Sequence, residues 1–128
     1  MTVRVFAVVD DEADARMVVR SLFSEDDRFS LAMEVGSAEE AIEVIHGLRA
    51  APEDLPDLIV LDHNLDGGMT GLAAAPVLKR EASRAKIILF TGADDVRLEA
   101  MDEPAVDAYL PKSRPDELLS TARRLLGF

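Results

Sequence analysis

Polar residues that could bind a metal ion or react with a phosphoryl group follow four apolar runs of the sequence. Two carboxylates, Asp10 and Asp11, follow the first run, and a third, Asp62, follows a later one, while Thr91 and Lys112 follow the last two runs. Carboxylates that lie close together repel one another unless a cation lies among them. Because their ligand atoms are oxygens, the sequence predicts a hard divalent ion, Mg²⁺, with Mn²⁺ as an alternative.

A carboxylate can also be a nucleophile, and Asp62 is the best candidate because it ends the most apolar run, where a charge needs a partner. The Lys112 ammonium and the Thr91 hydroxyl could then neutralise phosphoryl oxygens during transfer. Each residue alone has a simpler interpretation: Asp10 and Asp11 as helix caps, Thr91 as a strand residue and Lys112 as a surface charge. Their joint occurrence at the ends of predicted strands favours the phosphoryl-transfer site.

The apolar runs before these residues are typical of parallel β-strands. The third and fourth runs are almost free of polar residues, as strands covered on both faces are. Parallel strands bring their carboxyl ends to one edge of a sheet, where ligands bind at a reversal of the strand order. We therefore expect all the polar residues above to share one crevice. The five predicted strands are Val3–Val9, Ser30–Val35, Asp57–Leu61, Lys86–Phe90 and Val106–Leu110.

Helical patterns alternate with these strands. The first has a single apolar stripe, and the second begins with the capping-box spacing of Ser37 and Glu40. Pro76 lies inside the third pattern, Gly71–Ala82, and is expected to delay or kink that helix. The fourth, about Asp95–Met101, is short, and the fifth has a proline in its first turn. Strict alternation of this kind predicts an α/β fold, a three-layer α/β/α sandwich.

The composition limits the class of protein. The chain has 128 residues, of which 48% are apolar, so we expect one globular domain over residues 1–128. Acidic residues outnumber basic ones 25 to 14, and the net charge of −11 disfavours direct binding to nucleic acid. The sequence has no cysteine, no secretory signal and no apolar run of about 18 residues, so we expect a cytoplasmic domain without a membrane anchor.

In these positions the sequence resembles a known family, the receiver domains of two-component response regulators. The matching segments extend from the first strand to the last helix in the family's order. The resemblance implies a flavodoxin-like fold, with a five-stranded parallel sheet of order 2-1-3-4-5 and five helices. The segments that carry it are Val8-Val9-Asp10-Asp11-Glu12, Leu58-Ile59-Val60-Leu61-Asp62, Ile88-Leu89-Phe90-Thr91-Gly92 and Tyr109-Leu110-Pro111-Lys112.

The resemblance implies a role for each acidic position. Asp62 is expected to be the phosphoacceptor of a phosphorelay, and it takes the phosphoryl group from a phosphohistidine donor. Asp11, Asp62 and the backbone carbonyl of Asn64 are expected to bind the metal ion directly, and Asp10 through a water molecule. The domain is then expected to catalyse only its own phosphorylation and dephosphorylation, so it is not an enzyme in the ordinary sense.

The resemblance also assigns Thr91 and Lys112 to the phosphoryl oxygens, and it pairs Thr91 with Tyr109 as a switch. Thr91 is expected to move toward the phosphoryl dianion on Asp62, and Tyr109 is expected to turn inward. These movements would shift a two-state equilibrium on the face formed by the fourth helix, fifth strand and fifth helix. The expected partners are a histidine kinase or a histidine phosphotransfer protein and a downstream effector protein, and a homodimer is left open. Because the chain ends after its fifth helix, we expect either a stand-alone domain or a piece of a longer protein.

The sequence departs from the family pattern beside the acceptor. The loop Asp66–Gly71 has one extra residue, which bears on the position of the Asn64 carbonyl. Pro111 precedes Lys112, whereas the family usually has a proline after the lysine. His63 stands where an apolar residue is usual, and the sequence gives it no role.

Three other functions remain open from the sequence. A haloacid dehalogenase-like Mg²⁺-dependent phosphohydrolase also uses an aspartate at a strand end, but it needs a second aspartate where Asn64 stands. A flavodoxin-like cofactor binder needs a phosphate loop where Asp10, Asp11 and Glu12 stand. A receiver-like module that docks to partners without being phosphorylated would have the same fold.

Overall fold

The computed structural model describes residues 2–128, whose five strands form one parallel sheet of order β2-β1-β3-β4-β5. The five predicted strands and the order 2-1-3-4-5 are therefore confirmed. The strand order reverses between β1 and β3, which are hydrogen-bonded neighbours. The strands are β1 Arg4–Val9, β2 Phe29–Val35, β3 Leu58–Leu61, β4 Lys86–Thr91 and β5 Ala108–Pro111.

In the described part of the chain, five α-helices alternate with the five strands. Three of the segments that join a strand and a helix contain a short 3-10 turn. The 3-10 turn Asp94–Val96 leads into the fourth helix, and the turn Pro115–Glu117 leads into the fifth, so both helices begin later than their sequence patterns indicate. A third turn is Pro52–Asp54. The helices are α1 Ala13–Phe23, α2 Ala38–Leu48, α3 Gly71–Glu81, α4 Arg97–Asp102 and α5 Leu118–Leu126.

Pro76 does not delay α3, so that part of the prediction is wrong. The helix begins at Gly71, five residues before the proline. Thr70 caps it, because its Oγ1 accepts a hydrogen bond from the Ala73 N–H at 3.2 Å. A capped first turn satisfies an N–H that would otherwise be unpaired, which stabilises the helix start in spite of the proline.

Two apolar clusters lie on the two faces of the sheet, which confirms the three-layer sandwich. One joins alternate strand residues such as Ile59 and Leu89 to Ile45 of α2 and Leu78 of α3. The other joins the alternate set on the opposite face to α1 and α5. All four residues of β3 are buried, as its apolar run predicts for a central strand.

Candidate functional site

The ends of β1 and β3 place two aspartates side by side. The Asp62 N–H donates to the Val9 carbonyl at 2.9 Å, and the Asp10 N–H donates to the Val35 carbonyl at 3.0 Å. These main-chain bonds continue the sheet by one residue beyond β1 and β3, so both side chains are held by the sheet itself. Asp10 is 3% exposed and Asp62 is 4% exposed, so each needs a partner for its charge.

Four carboxylates converge at this edge of the sheet, and we call them the acidic cluster: Asp10, Asp11, Glu12 and Asp62. One oxygen of each lies within 4.8 Å of an oxygen of every other. Asp11 and Glu12 are exposed, whereas the other two are buried. Oxygen ligands this close, partly open to solvent, suit a hard divalent cation.

A surface crevice opens beside the acidic cluster, and we call it the acidic crevice. The residues that line it come from the ends of four strands and from the loops that follow them. Asn64, which the resemblance assigns to the metal ion, belongs to this lining. The full lining is Asp11, Glu12, Asp62, Asn64, Gly92 and Lys112.

Lys112 supplies the positive charge among the residues that line the acidic crevice. Its Nζ lies 2.8 Å from Asp10 Oδ2, 2.9 Å from Asp62 Oδ2 and 3.3 Å from Glu12 Oε1. Burial lowers the pKa of Lys112, but the hydrogen bonds to Asp10 and Asp62 outweigh it and hold that pKa above its ordinary value. The ammonium is therefore a fixed charge beside the predicted acceptor.

Both oxygens of Asp10 are already hydrogen-bonded. Oδ1 accepts from the Glu12 N–H at 3.0 Å, and Oδ2 accepts from Lys112. Burial raises the pKa of Asp10, and the bonds from Lys112 and Glu12 oppose that rise without cancelling it. Arg16 also holds the main chain of Asp10, because its Nη1 donates to the Asp10 carbonyl at 2.6 Å.

Asp62 is oriented through both of its oxygens as well. Oδ2 faces Lys112, and Oδ1 accepts from the N–H of the next residue, His63, at 2.7 Å. His63 Nδ1 in turn accepts from the Leu72 N–H at 3.4 Å, so this histidine has a local structural role that the sequence did not suggest. The carboxylate is held at the wall of the crevice with a defined orientation.

Thr91 and Tyr109 do not line the acidic crevice, but both are bonded to the loop after β4. Thr91 is fully buried, and its Oγ1 accepts from the Ala93 N–H at 3.2 Å. The Tyr109 hydroxyl donates to the Ala93 carbonyl at 3.4 Å. Burial, with the nearby Asp94 carboxylate, raises the pKa of Tyr109. One residue, Ala93, thus joins the two predicted switch residues through its main chain.

Sequence reasoning missed three residues that shape the site. Glu12 stands in the Asp-Asp-Glu run, which could have revealed it as the fourth carboxylate. Gly71 packs so closely on Asp62 that a Cβ atom there would lie 1.9 Å from the Asp62 carbonyl oxygen. A glycine directly after a helix cap was the available signal. Arg16 had no sequence signal, because its contact with Asp10 depends on how α1 packs.

Comparisons with known proteins agree on one family. A family model described as the response regulator receiver domain matches residues 6–123. The nitrate/nitrite response regulator protein NarP of Escherichia coli strain K12 is 33% identical over 118 residues, which are 91% of this chain and 52% of that protein. The transcriptional regulatory protein BtsR of Salmonella typhi is 32% identical over 118 residues, 92% of this chain and 46% of that protein.

The chain spans about half the length of these curated relatives. Among solved structures, a two-component response regulator of the LuxR family from Aurantimonas sp. SI85-9A1 superposes with a TM-score of 0.81 at 25% identity. That match covers 98% of this chain and 86% of the other. Within residues 2–128, no helix combines the length and the apolar character needed to cross a membrane.

Proposed function

This chain belongs to the response regulator receiver domain family, the signalling domains of two-component systems, and from that premise we propose that Asp62 is its phosphoacceptor. The observation that carries the proposal is the position of Lys112, whose Nζ is within 2.9 Å of both Asp10 and Asp62 at the wall of an open crevice. A buried carboxylate that is oriented by a cation and open to solvent on one side can act as a nucleophile.

The acidic cluster fits the divalent ion that this function requires. We propose that Asp11, Asp62 and the backbone carbonyl of Asn64 hold Mg²⁺, or Mn²⁺ as an alternative, directly. Asp10 is proposed to contact it through water, which agrees with the fact that both Asp10 oxygens already accept protein hydrogen bonds. When bound, the ion supplies positive charge that lowers the repulsion between the carboxylates and the phosphoryl oxygens.

The protein groups have separate tasks in the transfer. An Asp62 carboxylate oxygen forms a bond to phosphorus while the bond from phosphorus to the imidazole nitrogen of the donor breaks, and the imidazole is the leaving group. Lys112 neutralises charge on Asp62 and on the phosphoryl oxygens, and Thr91 donates a hydrogen bond to one of those oxygens. Water later attacks phosphorus, the bond between phosphorus and the Asp62 oxygen breaks, and inorganic phosphate leaves, which restores the Asp62 carboxylate. We therefore propose that the domain acts only on its own phosphoryl group and turns over no metabolite.

The bonds around Ala93 support the proposed switch. The Thr91 hydroxyl and the Tyr109 hydroxyl both contact the main chain of this residue. A movement of Thr91 toward the phosphoryl group would therefore pull on the loop that holds Tyr109. The resulting change would reach α4, which follows this loop, and β5, which contains Tyr109, and through β5 it would reach α5.

The proposed partners follow from the family. A histidine kinase or a histidine phosphotransfer protein would supply the phosphoryl group, and an effector protein or a second copy of the chain would receive the signal. NarP and BtsR are named as response and transcriptional regulators, but with a net charge of −11 we propose no direct DNA contact for this chain. We also propose that residues 1–128 form one receiver domain and that it acts in the cytoplasm.

The alternatives are not favoured. The family match and the order of the site residues are those of receiver domains, and Asn64 stands where a haloacid dehalogenase-like hydrolase needs its second aspartate. A cofactor phosphate would meet three carboxylates, Asp10, Asp11 and Glu12, directly after β1.

Intact mass spectrometry after incubation with acetyl phosphate and Mg²⁺ tests the proposal. The parent protein should gain the mass of one phosphoryl group, and Asp62→Asn should gain none. Asp27→Asn, which removes an exposed carboxylate away from the crevice, is the matched control and should be labelled like the parent. Omission of Mg²⁺ should slow the labelling. Undiminished labelling of a folded Asp62→Asn protein would reject Asp62 as the acceptor.

A further inference from the structure

The loop between β3 and α3, residues 62–70, connects the acceptor to the helix that follows it, and its middle is attached to α2. Asp66 forms an isolated parallel bridge with Ser37, the residue that caps α2. Gly67 has a φ of 86°, which favours glycine, and it turns the chain toward the first turn of α2. The loop whose length departs from the family pattern thus makes a turn that contacts α2.

Glu39 binds this turn with one oxygen. Its Oε2 accepts hydrogen bonds from two consecutive main-chain N–H groups, Gly68 at 3.2 Å and Met69 at 3.1 Å. A Cβ atom at Gly67 would lie 3.0 Å from Glu39 Oε1, so the turn packs closely around the whole carboxylate. A carboxylate that accepts two N–H groups makes stronger bonds than a neutral acceptor would.

One end of the same loop reaches the acidic crevice, and the other end packs against it. Asn64 lines the crevice together with Asp62. At the other end the Gly71 N–H donates to the His63 carbonyl at 2.9 Å, which closes the loop. The loop is closed by the bond between Gly71 and His63, and Glu39 holds it at Gly68 and Met69, so we expect these contacts to restrict the main chain at Asn64 between them.

We propose that Glu39 is a positioning residue for the metal site, and that it acts by holding the loop from which Asn64 presents its backbone carbonyl. This inference rests on the proposed Mg²⁺ site and adds a residue to it that touches neither the ion nor the acceptor. Loss of the Glu39 carboxylate would free the turn at Gly68 and Met69 and lower the affinity for Mg²⁺.

Glu39 has a simpler role to be separated from this one. It lies in the first turn of α2, where a negative charge stabilises the helix, and Glu40 lies in the same turn. The Glu40 main-chain N–H donates to Ser37 Oγ at 3.1 Å, but its carboxylate makes no hydrogen bond or ion pair to the loop within residues 2–128. Glu40→Ala therefore removes an equal charge from the same turn and leaves the loop contacts intact.

The test uses NMR on the full chain, with amide exchange measured without metal and the Mg²⁺ dissociation constant measured by titration with MgCl₂. Glu39→Ala should speed exchange at Gly68 and Met69 about tenfold or more. It should also weaken Mg²⁺ binding about tenfold, the low end for residues that support metal ligands. Glu40→Ala should match the parent in both. Glu39→Gln keeps an oxygen that can accept both bonds, so it should recover most of the affinity.

The outcomes separate this inference from the proposed function. If the parent binds Mg²⁺ and Glu39→Ala binds it as tightly as Glu40→Ala does, this inference is overturned and the metal site stands. If exchange at Gly68 and Met69 quickens but the affinity does not change, Glu39 holds the loop without positioning a ligand, and the inference is again overturned. A parent protein that binds no Mg²⁺ overturns the proposed metal site and this inference with it.

Discussion

Replacement of Gly71 by alanine tests whether the start of α3 fixes the position of Asp62. A Cβ atom at Gly71 would lie 1.9 Å from the Asp62 carbonyl oxygen, 2.7 Å from its carbonyl carbon and 3.0 Å from the His63 Cα. Non-bonded heavy atoms ordinarily stay about 3.5 Å apart, so the start of α3 and the loop after β3 would have to separate by about 1.5 Å.

The cost of that separation is large because every atom in the contact belongs to the main chain. Overpacking costs about 1–3 kcal/mol, and with no flexible side chain to yield we take the upper value, about 3 kcal/mol. Alanine is a better helix former than glycine by up to about 1 kcal/mol, which offsets part of this cost. We therefore expect Gly71→Ala to lower the free energy of unfolding by about 2 kcal/mol. Misplacement of a reacting group by about 1 Å can cost roughly 100-fold in rate, so labelling at Asp62 should slow by that order.

Urea unfolding followed by circular dichroism measures the first effect, and the rate of labelling by acetyl phosphate with Mg²⁺ measures the second. Gly47→Ala is the matched control, because Gly47 lies in α2 and a Cβ atom there would meet nothing within 4 Å. The control should gain up to about 1 kcal/mol of stability and be labelled at the parent rate. If Gly71→Ala unfolds within about 0.5 kcal/mol of the parent and is labelled as fast, the close approach does not constrain the site.

Two further predictions concern charge. Asp11→Asn removes one carboxylate from the acidic cluster, so the metal-free protein should become more stable by up to about 1 kcal/mol. In thermal melts Mg²⁺ should stabilise the variant less than the parent. Equal stabilisation by Mg²⁺ would contradict the assignment of Asp11 as a ligand. Asp26 is buried, and its hydrogen bonds from Arg28 hold its pKa below the ordinary value, so the stability it contributes at neutral pH should be lost as the pH falls below about 4. Thermal melts from about pH 7 to pH 3 should show a smaller decline for Asp26→Asn than for the exposed control Asp27→Asn, and equal declines would refute this role.

The sheet could be predicted from the sequence because its signal is local. The apolar runs of β3 and β4 are buried on both faces, and a strand of this kind differs in sequence from the helices around it. The starts of α4 and α5 could not be placed, because each follows a 3-10 turn of three residues, too short to show a period. The effect of Pro76 was misjudged, since the Thr70 cap stabilises the first turn of α3 before the proline is reached.

Some contacts of the site could also be predicted from the sequence, and others could not. Asp10, Asp62 and Lys112 could be brought together in advance, because the carboxyl ends of parallel strands meet at one edge whatever the loops do. The contact of Glu39 with Gly68 and Met69 joins residues 29 and 30 positions apart, and no periodic pattern marks it. Contacts of this kind depend on how helices pack on the sheet, and a single sequence gives no measure of that packing.

The charge at the crevice bears on whether this domain is a phosphoacceptor or a docking module. Four carboxylates of the acidic cluster face one ammonium, and Lys112 already lies within 3.3 Å of three of them. The guanidinium of Arg16 is turned to the Asp10 carbonyl and to Glu34 instead. The surplus negative charge lowers the stability of the metal-free fold, and a module that only docked to partners would gain by losing it. Asp11→Asn therefore separates the two functions: a rise in metal-free stability together with a loss of Mg²⁺ binding means that the exposed carboxylate serves the ion at the expense of the fold.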